Sequence, residues 1–205
     1  MSADRPRVIV FDLGGVLLDW DPRYLYGDWF DDPAELERFL TVVCPPEWNR
    51  LLDAGADFPT AVAERVARFP DYADAIEAYW TRWGDMLRGP IEGTVAVLEA
   101  LARRGRQRLA ALSNWSAQTF PLARARYDFL ARLDPIVLSG EEKCVKPDPV
   151  IYRRLLARLG EPAEACLFID DVAENVAAAA RLGFQTVHFT GPEALVAALE
   201  HRGVL

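Results

Sequence analysis

A small set of polar residues in this chain stands where apolar runs end. Asp12 closes VIVF, Ser113 and Asn114 follow RLAAL, Lys146 comes shortly after IVLSG, and Asp170 and Asp171 end CLFI. Carboxylates brought together repel. If Asp12, Asp170 and Asp171 converge they call for a hard cation, and Mg²⁺ takes oxygen ligands in this way. Ser113, with nearby backbone N–H groups, can donate to phosphate oxygens. Lys146 supplies a point charge that holds a phosphate and tempers a nucleophile's negative charge. An aspartate so placed can attack phosphorus, and water then hydrolyses the aspartyl-phosphate. Each residue alone has an ordinary explanation in turn chemistry. Their shared placement points to phosphoryl chemistry.

That placement requires the apolar runs to be strands of one sheet. From residue 89 onward, short aliphatic runs alternate with helical patterns. PIEGTVAVLEALARRG reads as a helix starting near Glu92 and closed by Gly105, and KPDPVIYRRLLARLG as one capped by Asp148, with Pro149 in its first turn and Gly160 at its end. ENVAAAARLG and GPEALVAALEH are further helices, and QTVHF is a last strand. With VIVF in front, five strands alternate with helices, which predicts an α/β fold with a parallel, doubly wound sheet. Such sheets bind ligands beyond the carboxyl ends of their strands, where all these polar residues fall.

The stretch 18–88 has a different texture. It shows no convincing strand, holds helical patterns such as PAELERFLTVV and PTAVAERVARF, and carries 13 of the 22 aromatic residues. It reads as an all-helical insertion, giving a core of residues 1–17 and 89–205 and a second unit of residues 18–88.

The chain has 205 residues and a formal net charge of −8, from 31 acidic and 23 basic residues. An acidic surface without a Lys/Arg run excludes nucleic acid and anionic membrane as partners. An anionic small substrate would then need a lysine or a metal of its own. Cys44, Cys144 and Cys166 are too scattered for a disulfide framework and fit a reducing cytoplasm. The apolar stretch 8–18 is interrupted by Asp12 and is too short to span a bilayer. A cytoplasmic monomer or homodimer acting on a small phosphorylated metabolite is expected.

DLGGV, LSN, VKPDP and FIDD, in that order, resemble the four signature motifs of the haloacid dehalogenase superfamily, and the resemblance covers nearly the whole chain. FDLGGVLLDWD is similar to the subgroup that contains bacterial α-D-glucose-1-phosphate phosphatase. The resemblance implies a Rossmann-like core with strand order 3-2-1-4-5 and a helical cap. It implies Asp12 as nucleophile and Mg²⁺ ligand, and the Gly14 carbonyl as a second ligand. Asp171 completes the metal site, with Asp170 as ligand or support. Ser113, Asn114 and Lys146 would bind phosphate, beside the Gly14 and Gly15 loop. Two rivals remain: a metal-free dehalogenase, which would leave Asp170 and Asp171 as like charges without a cation, and a non-catalytic binding module.

One position departs from the family pattern. Most of its phosphatases carry an acid two residues after the nucleophile, which protonates the leaving group; this chain has Gly14. Positioned proton transfer is worth about 10²–10⁴ in rate. Either the leaving group is a good one, such as an anomeric sugar oxygen, or Asp19 or Asp21 reaches in, or the activity is lost. The first is the favoured reading. Trp20 and Tyr24, where the chain enters the insertion, are candidates for substrate contact, with Trp115 at the pocket floor and segments 17–21 and 88–90 as hinges. Asn175 either steadies Asp171 or caps its own helix. His188 reads as structural, and His201 and Lys143 as surface residues.

Overall fold

A computed structural model describes residues 5–205. Its strands are β1 (Val8–Phe11), β2 (Leu18–Trp20), β3 (Leu87–Pro90), β4 (Arg108–Ser113), β5 (Ile136–Leu138), β6 (Cys166–Asp170) and β7 (Gln185–His188). Five of them form one sheet in the order β5-β4-β1-β6-β7, every neighbouring pair parallel. Numbered along the chain, that is the expected 3-2-1-4-5. The order reverses between β1 and β6, where the register sets Phe11 against Ile169 and hence Asp12 level with Asp170.

The strands read as unbroken apolar runs because both faces of the sheet are buried. Ile9, Phe11, Leu167 and Ile169 face one layer, shared with Val97, Leu98 and Leu101 of the helix Glu92–Arg104 and Leu195 and Leu199 of the helix Pro192–His201. Val8, Val10, Cys166 and Phe168 face the other, against Ile151, Tyr152 and Leu155 of the helix Pro149–Leu159 and Ala178 and Ala179 of the helix Ala173–Arg181. The helix ends follow the sequence signals. The Asp148 side chain accepts from the Val150 N–H, and Gly105 and Gly160 end their helices in the left-handed region. The run 136–140 is shorter as a strand than its composition predicts, since Ser139 already begins the one-turn helix Ser139–Glu142.

Between β2 and β3 lie the helices Arg23–Tyr26, Pro33–Arg38, Pro46–Asp53, Phe58–Arg68 and Ala73–Thr81, with a π-helical turn Phe39–Val43 running on from the second. Aromatic packing is their core. Tyr26 lies 4.6 Å from Phe39, Trp48 lies 5.0 Å from Tyr79 and Phe58 lies 4.7 Å from Trp80, centroid to centroid.

The expectation that residues 18–88 contain no strand is corrected at both ends. β2 and β3 pair antiparallel where the chain leaves the sheet and returns. Strands of three and four residues, the second containing Gly89 and Pro90, show no alternation from which they could be read. Among the described residues no helix is long and apolar enough to cross a membrane.

Candidate active site

Beyond the carboxyl ends of β1, β4 and β6 lies a cavity of about 250 Å³. Asp12, Gly14, Gly15, Ser113, Asn114, Lys146 and Asp171 line its sheet side, so residues from four separate stretches of sequence meet there. Asp12 is held by its own turn, its Oδ1 accepting from the Leu13 N–H at 2.7 Å. Its Oδ2 is 2.7 Å from Lys146 Nζ, which also donates to Asp170 Oδ2 at 2.6 Å and to the Leu112 carbonyl at 3.0 Å.

Burial by itself would lower the Lys146 pKa, but Asp12 and Asp170 outweigh it and hold the ammonium above its usual value. Asp12 is pushed up to about 7, mainly by burial. Lys146 pulls it down, and Asp170 and Asp171 push it up further. Asp171 is raised by burial and by Asp170. Three carboxylates thus face one ammonium, an arrangement short of positive charge.

Oxygens of Asp12, Asp170 and Asp171 lie within 4.8 Å of one another, a spacing and chemistry that fit a hard divalent cation. The three are not equivalent. Asp170 is saturated with donors: Lys146 on Oδ2, the Val172 N–H on Oδ1 at 2.8 Å, and Asn175 Nδ2 on both oxygens at 3.1 and 3.2 Å. Asn175 therefore steadies Asp170, not Asp171, and it does not cap its helix Ala173–Arg181, which has no side-chain cap at Val172. Asp171 lies open to the cavity and close against the loop. Gly15 has φ +74°, and a Cβ there would run into the Asp171 carboxylate.

Other expectations shift. The Asn114 amide, at the cavity wall, is engaged with the Lys146 backbone: its Oδ1 accepts from the Lys146 N–H at 2.7 Å and its Nδ2 donates to the Lys146 carbonyl at 3.1 Å. Trp20 lines the cavity, together with Trp83 and Trp115, whose rings lie 5.4 Å apart. Tyr24 does not. It is exposed, with its hydroxyl donating to Asp19 and its ring under Arg88. Asp19 is occupied by that hydroxyl, and Asp21 accepts from the Arg23 N–H, so neither lines the cavity. His188 is exposed, with Nε2 3.0 Å from the Asp171 carbonyl. Lys143 and His201 are exposed as expected.

Asp53 enters the cavity without forewarning. It is the last residue of the helix Pro46–Asp53 and faces the site from the side opposite the sheet, with Asn49 one turn before it. Its carboxyl is pushed up to about 7, chiefly by burial, with Asp12 adding to the rise and the Ser116 N–H, Lys146 and Asn49 opposing it. One trace was legible: an acid at a helix C-terminus sits at the unfavourable end of the macrodipole.

Residues 6–183 match the haloacid dehalogenase-like hydrolases. The chain belongs to that family. A sesquiterpene phosphatase of Aspergillus oryzae is 24% identical over 184 residues, covering 90% of each chain. Among solved structures, a HAD-like family hydrolase from Porphyromonas gingivalis is 24% identical with a TM-score of 0.74 over 96% of this chain and 97% of that one. A HAD family enzyme from Bacteroides thetaiotaomicron, complexed with magnesium and inorganic phosphate, is 20% identical with a TM-score of 0.66 over 91% and 95%. At these identities the solved structures show a shared fold. The protein is a HAD-like hydrolase.

Proposed function

We propose that this hydrolase is a Mg²⁺-dependent phosphatase that cleaves a small phosphate monoester through an aspartyl-phosphate on Asp12. The observation that carries it is the buried pair Asp12 and Asp170 on Lys146, with Asp171 open to the cavity beside them and ligand oxygens of all three within 4.8 Å. Asp12, Asp171 and the Gly14 carbonyl would hold the ion, while Asp170, its oxygens already taken, positions Lys146. Bound there, Mg²⁺ supplies Lewis-acid polarisation of the phosphoryl group and offsets the carboxylate charge.

The chain's own residues do the rest. Asp12, buried at the end of β1, presents a carboxylate oxygen to phosphorus. Lys146 neutralises charge between Asp12 and the incoming phosphoryl oxygens, and the Ser113 hydroxyl donates to one of them. Trp20, Trp83 and Trp115 offer apolar faces to the organic part of the substrate and exclude water from around it. The helical segment acts as a cap above the site, with β2 and β3 as its connection to the core.

Sugar phosphates follow from the resemblance of FDLGGVLLDWD, and the sesquiterpene phosphatase of Aspergillus oryzae adds sesquiterpene phosphates. The test is phosphate release over both classes with Mg²⁺, with Asp12→Asn as control and an EDTA arm. Release abolished by both treatments supports the reading. Activity that survives EDTA, or chloride release from haloacids without phosphate release, overturns it.

A further inference from the structure

If Asp12 attacks phosphorus, the departing oxygen needs a proton, and the groups around the cavity leave few donors. Asp12 is the nucleophile, Asp171 faces the expected ion, Asp170 is saturated with donors, and Lys146 is held as an ammonium between two carboxylates. Gly14 has no side chain, and Asp19 and Asp21 are engaged elsewhere. Resting on the phosphatase reading, we infer that Asp53, reaching in from the helical segment, is the acid–base group of the reaction.

Its position is built for this. The Asp53 carbonyl accepts from Ser139 Oγ at 2.6 Å, so its backbone is pinned to the sheet domain across the cavity edge. Its Oδ2 accepts from Asn49 Nδ2 at 2.9 Å, and Asn49 Oδ1 in turn accepts from the Tyr79 hydroxyl at 2.9 Å. The Tyr79 phenol is buried and its pKa stands well above the usual value, so this chain carries no second charge to the site. It fixes one carboxyl oxygen, and the Ser116 N–H holds the carboxyl from the core side. The charged groups facing Asp53 are Asp12, which favours its protonated form, and Lys146, which opposes it; the Ser116 N–H also opposes it from the core. A helix fold alone has no use for a half-buried acid at its C-terminal end.

The proton count closes. An Asp12 oxygen bonds to phosphorus as the ester P–O bond breaks, and the Asp53 proton goes to the departing alkoxide. Asp53, now ionised, takes a proton from water as that water attacks phosphorus. The bond from phosphorus to Asp12 breaks, and phosphate leaves with both acids restored to their starting states.

The test compares Asp53→Asn with the wild type in single-turnover assays with Mg²⁺, on an alkyl phosphate and on dinitrophenyl phosphate, whose leaving group needs no proton. Alcohol release from the alkyl ester falls about 10²–10⁴-fold, while the first-turnover burst of dinitrophenolate stays near the wild-type rate. The alkaline limb of the wild-type pH profile on the alkyl ester disappears in the variant. Equal losses on both esters, or an alkaline limb that persists, overturn the inference and leave Asp53 as a clamp between segments. A wild type that releases phosphate from neither ester overturns the phosphatase reading itself, and this shows before any variant is compared. Should the variant fail to fold, ¹³C NMR titration of the Asp53 carboxyl in the folded wild type decides: a midpoint near 7 is expected, and one in the usual carboxylate range overturns the inference.

Discussion

Asn114 grips the backbone of Lys146 with both ends of its amide, accepting from the N–H at 2.7 Å and donating to the carbonyl at 3.1 Å. A lysine four carbons long has many rotamers, and fixing its main chain is the first step in aiming its ammonium. Asn114→Ala leaves two partly buried backbone groups unpaired, an expected cost of about 1–3 kcal/mol in urea denaturation. Phosphate turnover falls with it, by up to about 10²-fold if Nζ moves an ångström. An unchanged kcat would show that Asp12 and Asp170 aim Lys146 without help.

Gly15→Ala separates the metal site from the rest. At φ +74° the new methyl group is strained and meets the Asp171 carboxylate. Asp171 must swing aside, so Mg²⁺ affinity drops by about 10–100-fold, the range seen when the groups that orient a ligand are disturbed. Isothermal titration of the metal-free protein measures this directly. Binding as tight as in the wild type would remove Asp171 from the ligand set.

Most of the sheet-side site was legible because a strand buried on both faces cannot hide a polar residue. Asp12, Ser113 and Asp170 each end an apolar run, and Lys146 precedes a helix start marked by Asp148 and Pro149. Where side chains turn is another matter. The Asn114 amide, the grip of Asn175 on Asp170, and the exposure of Tyr24 all depend on contacts between segments distant in sequence. Asp53 was hidden for a related reason. The residues 18–88 are patterned by their own aromatic core, and nothing in that pattern says which helix end overhangs the sheet.

The buried acids make metal-free stability depend on pH with a definite sign. In the folded protein Asp12 and Asp53 keep their protons up to about 7, whereas in the unfolded chain they release them near their usual value of about 4. Between those limits the folded state binds more protons, so these groups withdraw stability as pH rises from about 4 to about 7 and add no further change above it. Denaturation in EDTA should show the gap between wild type and Asp12→Asn closing or reversing over that window, in favour of the variant. Mg²⁺ should raise the midpoint more at pH 7 than at pH 5, because its ligands must first be deprotonated. A midpoint gain from Mg²⁺ that is the same at both pH values would contradict the shift at Asp12.

Gly14 offers the sharpest comparison with Asp53. A Cβ built on Gly14 meets nothing within 4 Å, its φ lies outside the left-handed region, and the residue lines the cavity. An aspartate placed there has room and faces the substrate. Two acids at once would crowd a site already rich in carboxylates, so Gly14→Asp alone should raise alkyl phosphate turnover little or lower it. In the Asp53→Asn background, the same substitution should recover a large part of the lost rate, of the order of 10²-fold, on the scale of a positioned acid. Recovery should be confined to poor leaving groups, since dinitrophenyl phosphate has nothing to gain from a proton. Gly14→Asp that restores no alkyl ester turnover to Asp53→Asn, while Mg²⁺ binding and folding match the parent, would mean that the rate lost with Asp53 is not that of a missing acid.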